Sequence, residues 1–158
     1  MSRLPQLGRR GEGWVALQVV LIVAIVATGV LGTAWPSGAR SWLVVAAVPI
    51  GLCGAYLLVG GIAGLGRQLT PFPKPVEHGG LRRVGVFGLA RHPMYGGALL
   101  LALAWSLVSS PLALLPWTVA AVFLDTKRRR EEAWLIEQHP DYAEYQTSVR
   151  RSLVPFVW

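Results

Sequence analysis

Three long uncharged stretches separate short charged segments along this chain. No Asp, Glu, Lys or Arg occurs in the ranges 13–39, 41–66 and 92–124. Apolar runs of about 18 or more residues are typical of transmembrane helices. The pattern therefore predicts an all-α, polytopic membrane protein.

The uncharged stretches divide into four predicted spans, 14–35, 42–65, 93–108 and 112–130. The third stretch is too long for one span, and Ser109-Ser110-Pro111 supplies a break within it. We therefore expect the last two spans to form a short hairpin, whose second helix continues past the membrane surface.

The segment after the last span alternates charged and apolar residues. Tyr142, Tyr145 and Val149 fall at helical spacing, which predicts an amphipathic C-terminal helix lying on the cytosolic surface as a cap. A length of 158 residues is typical of one domain. Residues 1–158 are thus predicted to form a single unit.

Basic residues concentrate on one side of the predicted spans. They lie before the first span, in the loop 67–91 and after the last span, whereas only Arg40 lies on the other side. This positive-inside pattern predicts that both termini and the long loop are cytoplasmic, in the inner membrane of a bacterium. The net charge of +7 fits this topology and contact with anionic membrane lipids, so no nucleic-acid partner is predicted.

Two polar segments stand at the two ends of the predicted hairpin, residues 91–97 and 127–132. Pro93 suits the first turn of a helix, and a helix N-terminus there would favour an anion. Because the hairpin folds back, both segments are expected on the same membrane face, where they enclose a small-molecule site. The basic run 127–130 itself is interpreted mainly as a topology anchor.

The segment Arg91-His92-Pro93-Met94-Tyr95-Gly96-Gly97, the hairpin and Glu131-Glu132-x-x-Leu135 together resemble the isoprenylcysteine carboxyl methyltransferase family. This family is grouped with the phospholipid methyltransferases, and the resemblance covers roughly the C-terminal half, including the proline-rich lead 71–75. It implies S-adenosylmethionine as cofactor, bound by the regions 81–97 and 127–145 at the cytosolic face.

The resemblance also implies roles for individual residues. The catalytic candidates are Arg91, His92 and Glu132. The cofactor-binding candidates are Gly85, His92, Pro93, Tyr95, Gly97, Glu131, Glu132 and Leu135. Physical chemistry agrees, since Arg91 suits the cofactor's carboxylate, a glutamate suits its ammonium, and Tyr95 and Phe87 offer aromatic faces to the adenine or the sulfonium. Residues 85–88 depart from the family's glycine-proline-tyrosine-arginine, which leaves the substrate open.

Methyl transfer requires mainly alignment and exclusion of water, because the sulfonium is already activated. A carboxylate acceptor needs no base, whereas a thiol or an amine does, and His92 or one glutamate could accept that proton. We expect a small lipophilic acceptor that enters from the bilayer. The predicted route lies between the hairpin and span two, where the close-packing motif Gly60-x-x-x-Gly64 thins the helix.

Two other function classes stay open. Membrane sterol and steroid reductases, which bind NADPH, carry a similar Arg-His-Pro segment, but asparagine and then glycine-glutamate usually follow where this chain has Met94 and Gly97. A non-catalytic membrane protein would use the same charges for topology alone. The chain has no phosphate-binding glycine loop and no cysteine–histidine cluster, so no metal site is predicted.

Overall fold

The structure is a computed structural model and describes residues 7–8, 10–70, 72 and 80–158. Five α-helices follow one another: α1 (Glu12–Leu31), α2 (Ser37–Leu65), α3 (Pro93–Ser109), α4 (Leu114–Gln138) and α5 (Tyr142–Ser148). Short 3₁₀ turns lie at Gly66–Gln68, Gly85–Gly88 and Pro111–Ala113. No strand occurs among these residues, and the all-α prediction is confirmed for them.

The break inside the third apolar stretch is confirmed. α3 ends at Ser109, and the Ser110 hydroxyl accepts a hydrogen bond from the Leu112 backbone N–H at 3.2 Å. Pro111 then opens the 3₁₀ turn, and α4 returns alongside α3. The serine and proline signals of the sequence are thus sufficient to place this hairpin.

The helix bounds differ from the predicted spans at several ends. α1 ends at Leu31 rather than 35, because Trp35 leaves the helix and its indole Nε1 donates to the Ser106 carbonyl at 3.1 Å. α2 already begins at Ser37, and α4 continues past the predicted span, as expected, and extends to Gln138. The expected C-terminal cap helix is correspondingly short, since only Tyr142–Ser148 remains for α5.

α3 lies at the centre of the bundle. It packs extensively along α2 on one side and contacts α1 and α4 on the other. Small residues allow the α2–α3 contact, because a Cβ atom on Gly97 would lie 2.6 Å from the Leu58 backbone nitrogen and 2.7 Å from the Gly54 carbonyl oxygen. The apolar core on the opposite side includes Ile25 and Leu99.

Gly60 and Gly64 receive the 3₁₀ turn at Gly85–Gly88. A Cβ atom on Gly60 would lie 2.6 Å from Val86 Cγ1, and one on Gly64 would lie 2.9 Å from Phe87 Cε2. This close-packing motif therefore contacts a turn of the same chain and not another helix. The predicted route for a lipophilic substrate at these glycines is wrong, because Val86 and Phe87 fill the space.

Two helical segments, Glu12–Leu31 and Ser37–Gln68, are long and apolar enough to cross a membrane, judged by length and composition among the described residues. α3 is apolar but shorter. Many large apolar side chains of α1 and α2 are exposed, such as Val20, Val30, Val45 and Leu52. An apolar surface of this kind is typical of contact with lipid or with another protein. The crossing of the membrane by α3 and α4 stays a prediction.

Candidate functional site

A cavity of about 270 Å³ lies between the first half of α1, the end of α2, the start of α3 and the middle of α4. This volume is close to the lower end of the range of ligand pockets, which begins at about 300 Å³. α5 closes it with Tyr142 and Tyr145. The predicted cofactor regions 81–97 and 127–145 both reach this cavity, and α1 supplies a wall that was not predicted.

Six of the predicted site residues line the cavity: Arg91, His92, Pro93, Tyr95, Glu131 and Leu135. Three others do not. Glu132 lies behind His92, Gly97 lies in the α2–α3 contact, and Gly85 lies in the 3₁₀ turn with a φ of 65°. Most of the predicted residues therefore converge, while the two glycines serve packing and backbone geometry.

Direct side-chain contacts join the two polar segments. The Tyr95 hydroxyl donates to Glu131 Oε2 at 2.9 Å, and His92 Nε2 lies 3.2 Å from Glu132 Oε1. The His92 and Tyr95 rings stack with parallel planes at a centroid distance of 5.6 Å. The hairpin thus brings residues 91–95 and 131–132 into one hydrogen-bonded unit.

Arg91 holds the C-terminal tail. Its Nη1 donates to the carbonyls of Val149 at 2.7 Å and Arg150 at 3.0 Å, and its Nη2 donates to Ser152 Oγ at 3.0 Å. Its Nε donates to Glu132 Oε1 at 2.9 Å. A guanidinium has five N–H donors, and these contacts use four of them, so the geometry gives Arg91 a structural role. Its predicted contact with a cofactor carboxylate stays a prediction.

Glu132 is buried in this arrangement and accepts from several donors besides Arg91, including Arg128 Nη1 at 3.4 Å and Gln146 Nε2 at 3.2 Å. Burial alone would raise its pKa, but the hydrogen bonds and charges of His92 and Arg91 outweigh burial and lower the pKa to about 2. The carboxylate is therefore ionised at neutral pH and orients its neighbours. We name Arg91, His92 and Glu132 the tail-binding cluster.

Lys127 is one of the site residues that sequence reasoning missed. Its side chain points inward instead of anchoring the surface, and only 1% of the residue is exposed. Nζ donates to Gln18 Oε1 at 2.6 Å and lies 5.0 Å from the centroid of the Tyr95 ring. A buried lysine is rare without a partner, and an ammonium has three donors. Gln18 is the only polar residue in the middle of α1, and this isolated position in an apolar helix could have indicated a buried polar partner such as Lys127.

Two tyrosines of α5 face the cavity and differ in their hydrogen bonds. The Tyr145 hydroxyl donates to the Phe87 carbonyl at 2.6 Å, whereas the Tyr142 hydroxyl has no partner among the described residues. Burial raises the pKa of Tyr145 to about 12 and raises that of Tyr142 still further, with Glu132 adding to both shifts. Both phenols therefore stay protonated at neutral pH.

Part of the predicted site lies outside the described residues. Residues 71 and 73–79 include most of the proline-rich lead 71–75, although Phe72 is described and lines the cavity. Within the described part of the chain, no group of three His, Cys, Asp or Glu side chains is arranged to hold a metal ion.

Comparison of the chain with protein-family models and with curated proteins gives no match. The resemblance to the membrane methyltransferases therefore depends on the motifs of the sequence alone.

Proposed function

We propose that this chain is an integral membrane methyltransferase that uses S-adenosylmethionine and acts on a small lipophilic acceptor. The observation that carries the proposal is the convergence of both motif segments on one cavity, where the Tyr95 hydroxyl and Glu131 Oε2 are 2.9 Å apart. Charges that serve only topology face solvent and headgroups. Here the charged side chains of Arg91, Lys127 and Glu131 instead line a concave site.

The polar groups of the cavity fit the charges of the cofactor. The Lys127 ammonium has donors beyond its bond to Gln18 and suits the carboxylate of the cofactor. Glu131 lines the same cavity and suits the ammonium, and the faces of Tyr95 and Phe87 suit the adenine or the sulfonium. In this assignment Lys127, and not Arg91, binds the carboxylate of the cofactor, because the donors of Arg91 are bonded to the tail and to Glu132.

The opposite wall of the cavity supports a lipophilic acceptor. It consists of apolar side chains from α1, α2 and α3: Val15, Val19, Ile22, Leu65 and Met94. α1 and α2 share no extended contact, because α3 lies between them. We propose that all four long helices cross the membrane with the cavity near its cytosolic face, so that this wall adjoins the lipid.

NADPH, the cofactor of the alternative reductase class, fits the lining less well. It carries three phosphate groups, and the described cations of the cavity are Arg82, Lys127 and Arg91. Arg91 is already bonded to Glu132 and to the tail. A phosphate-rich ligand would also lie close to Glu131, whose charge opposes it.

Binding measurements on the purified protein in detergent test the proposal. We expect S-adenosylmethionine and S-adenosylhomocysteine to bind in isothermal titration calorimetry, and NADPH not to bind. Transfer of a labelled methyl group from the cofactor to a membrane lipid extract would then identify the acceptor. Binding of NADPH alone would favour the reductase, and binding of neither ligand would favour a non-catalytic membrane protein.

A further inference from the structure

The hydroxyl of Tyr142 is a buried polar group that the fold leaves unused. Only 1% of the residue is exposed, and it lines the cavity. Among the described residues, no hydrogen-bond partner lies within reach of its hydroxyl oxygen. Buried side-chain polar groups are in large majority hydrogen-bonded. An unpaired buried hydroxyl on a residue that lines a cavity therefore points to a partner that binds in the cavity.

The ring of Tyr142 is held in place without help from its hydroxyl. The neighbouring Tyr145 packs edge-on against it at a centroid distance of 5.7 Å and bonds to the Phe87 carbonyl. Gln146 ties α5 to Glu132 at 3.2 Å, and Arg83 pairs with Asp141 and Glu144 at the outer side. The hydroxyl of Tyr142 is thus positioned in advance, which favours ligand binding because little ordering remains to be done.

The charges around Tyr142 restrict the kind of group that its hydroxyl binds. Burial is the main cause that raises the pKa of this phenol, the charges of Glu132 and Glu131 add to the rise, and the charge of Arg91 opposes it, so the phenol stays protonated. The hydroxyl is therefore a neutral donor that lies near two carboxylates. Since Arg91 is already paired with Glu132, the charge around the hydroxyl is negative on balance, and a neutral hydroxyl oxygen or ring nitrogen is a better acceptor here than an anionic group.

We infer that Tyr142 is a ligand-binding residue whose hydroxyl donates a hydrogen bond to a neutral acceptor of the bound cofactor, on its ribose or its adenine. This inference rests on the proposed function. It assigns α5 a direct contact with the cofactor in addition to its role as a cap. The charged end of the cofactor is left to Lys127 and Glu131, on the α4 side of the same cavity.

The test compares two variants that each lose one hydroxyl from the same helix, Tyr142→Phe and Tyr145→Phe. Thermal unfolding of the ligand-free protein and calorimetric binding of S-adenosylhomocysteine are measured for both. We expect Tyr142→Phe to keep or raise the ligand-free Tm, because it removes an unpaired buried group, and to weaken binding by about tenfold. Tyr145→Phe should lower the ligand-free Tm, because it leaves the Phe87 carbonyl unpaired, and should weaken binding less.

Two outcomes overturn the inference even when the wild type binds the cofactor. A ligand-free Tm that falls in Tyr142→Phe as far as in Tyr145→Phe would show that the hydroxyl has a partner within the protein. Unchanged affinity in Tyr142→Phe would show that the hydroxyl does not contact the ligand. A wild type that binds neither S-adenosylmethionine nor S-adenosylhomocysteine instead refutes the proposed function, and the cofactor role of Tyr142 with it.

Discussion

Two polar clusters adjoin the cavity, and they differ in how fully their hydrogen-bonding groups are used. The tail-binding cluster of Arg91, His92 and Glu132 is close to saturation, since its donors and acceptors meet one another and the tail. Lys127 and Tyr142 also line the cavity and are equally buried, but Lys127 has one described hydrogen-bond partner and Tyr142 has none. Groups that are saturated hold the fold, whereas groups with unused capacity are available to a ligand.

This difference changes the roles that we assign to the residues of the two motif segments, 91–97 and 131–135. The arginine and the second glutamate of the two-part motif lie behind the cavity wall or bind the tail, and so they shape the site through the protein. Substitutions in the two clusters should therefore separate stability from ligand affinity. We treat the second cluster as Gln18, Tyr95, Lys127, Glu131 and Tyr142 and call it the cavity cluster.

The largest effect is expected for Glu132→Ala. Removing this carboxylate leaves the buried Arg91 without its ion partner, and breaking a buried pair in this way costs about 3–5 kcal/mol of unfolding free energy. Denaturant unfolding in detergent micelles measures the loss. Glu144→Ala is the matched control, because the side chain of Glu144 is 78% exposed and its pair with Arg83 spans 3.5 Å. A stable variant that has lost only ligand binding would place Glu132 in the cavity cluster instead.

The acid stability of the protein should depend on the same carboxylate. Folding lowers the pKa of Glu132 from 4.5 to about 2, so the folded state binds this proton more weakly than the unfolded state. The contribution is therefore complete above pH 4.5 and is lost as the pH falls to about 2, with a magnitude on the order of 3 kcal/mol. The measurement is unfolding free energy against pH in wild type and Glu132→Gln. Parallel curves for the two proteins would contradict the ionised state assigned to Glu132.

Lys127→Met should show the opposite behaviour to Glu132→Ala. Methionine has a similar volume, and replacing a buried charge by an apolar side chain is often close to neutral for stability. Affinity for S-adenosylhomocysteine should fall by about 10- to 100-fold, the effect of about 1.5–3 kcal/mol for a hydrogen bond to a charged group.

Arg129→Met is the control for this change, since Arg129 belongs to the same basic run but its side chain is 62% exposed and bonded to Asp125. It should leave affinity nearly unchanged. Equal losses of affinity in both variants would mean that the basic run attracts the ligand through its overall charge, and would remove Lys127 from the cavity cluster.

The convergence of the two motif segments could be predicted from the sequence because it needs only the hairpin. Ser109-Ser110-Pro111 specifies a break, and a hairpin of two similar helices brings its two ends together. The inward direction of Lys127 was also accessible in principle. Lys127, Glu131 and Leu135 are spaced by four residues and share one face of α4, so the prediction that placed Glu131 and Leu135 in the site could have included Lys127.

The role of Arg91 could not be predicted in the same way. Two of its four hydrogen bonds go to the backbone carbonyls at 149 and 150, and every residue carries such a carbonyl, so no side-chain pattern identifies them. The contact of Val86 and Phe87 with Gly60 and Gly64 could not be predicted for a similar reason. It depends on a short turn at Val86 and Phe87 whose local sequence has no periodicity to read.

The smallest effect is expected where a polar contact is neither buried nor directed at the cavity. Arg83 pairs with Asp141 and Glu144 at the outer side of α5, with 35% of its own side chain and 56% of that of Asp141 exposed. Pairs of this kind contribute about 0–1 kcal/mol and weaken with salt. Arg83→Gln should therefore lower stability slightly at low ionic strength and leave cofactor affinity within about twofold.

This variant sharpens the comparison because Arg83 is bonded to α5, the same helix that carries Tyr142. If α5 is held by Tyr145 and Gln146, as their bonds to Phe87 and Glu132 indicate, loosening its outer side leaves the Tyr142 hydroxyl in place. Calorimetry at low and high salt measures both effects. At low salt, Arg83→Gln could lose as much affinity as Tyr142→Phe, and at high salt the variant and the wild type could bind equally. That combination would mean that the outer ion pairs position the cap. The assignment of stability to the tail-binding cluster and of ligand affinity to the cavity cluster would then be wrong.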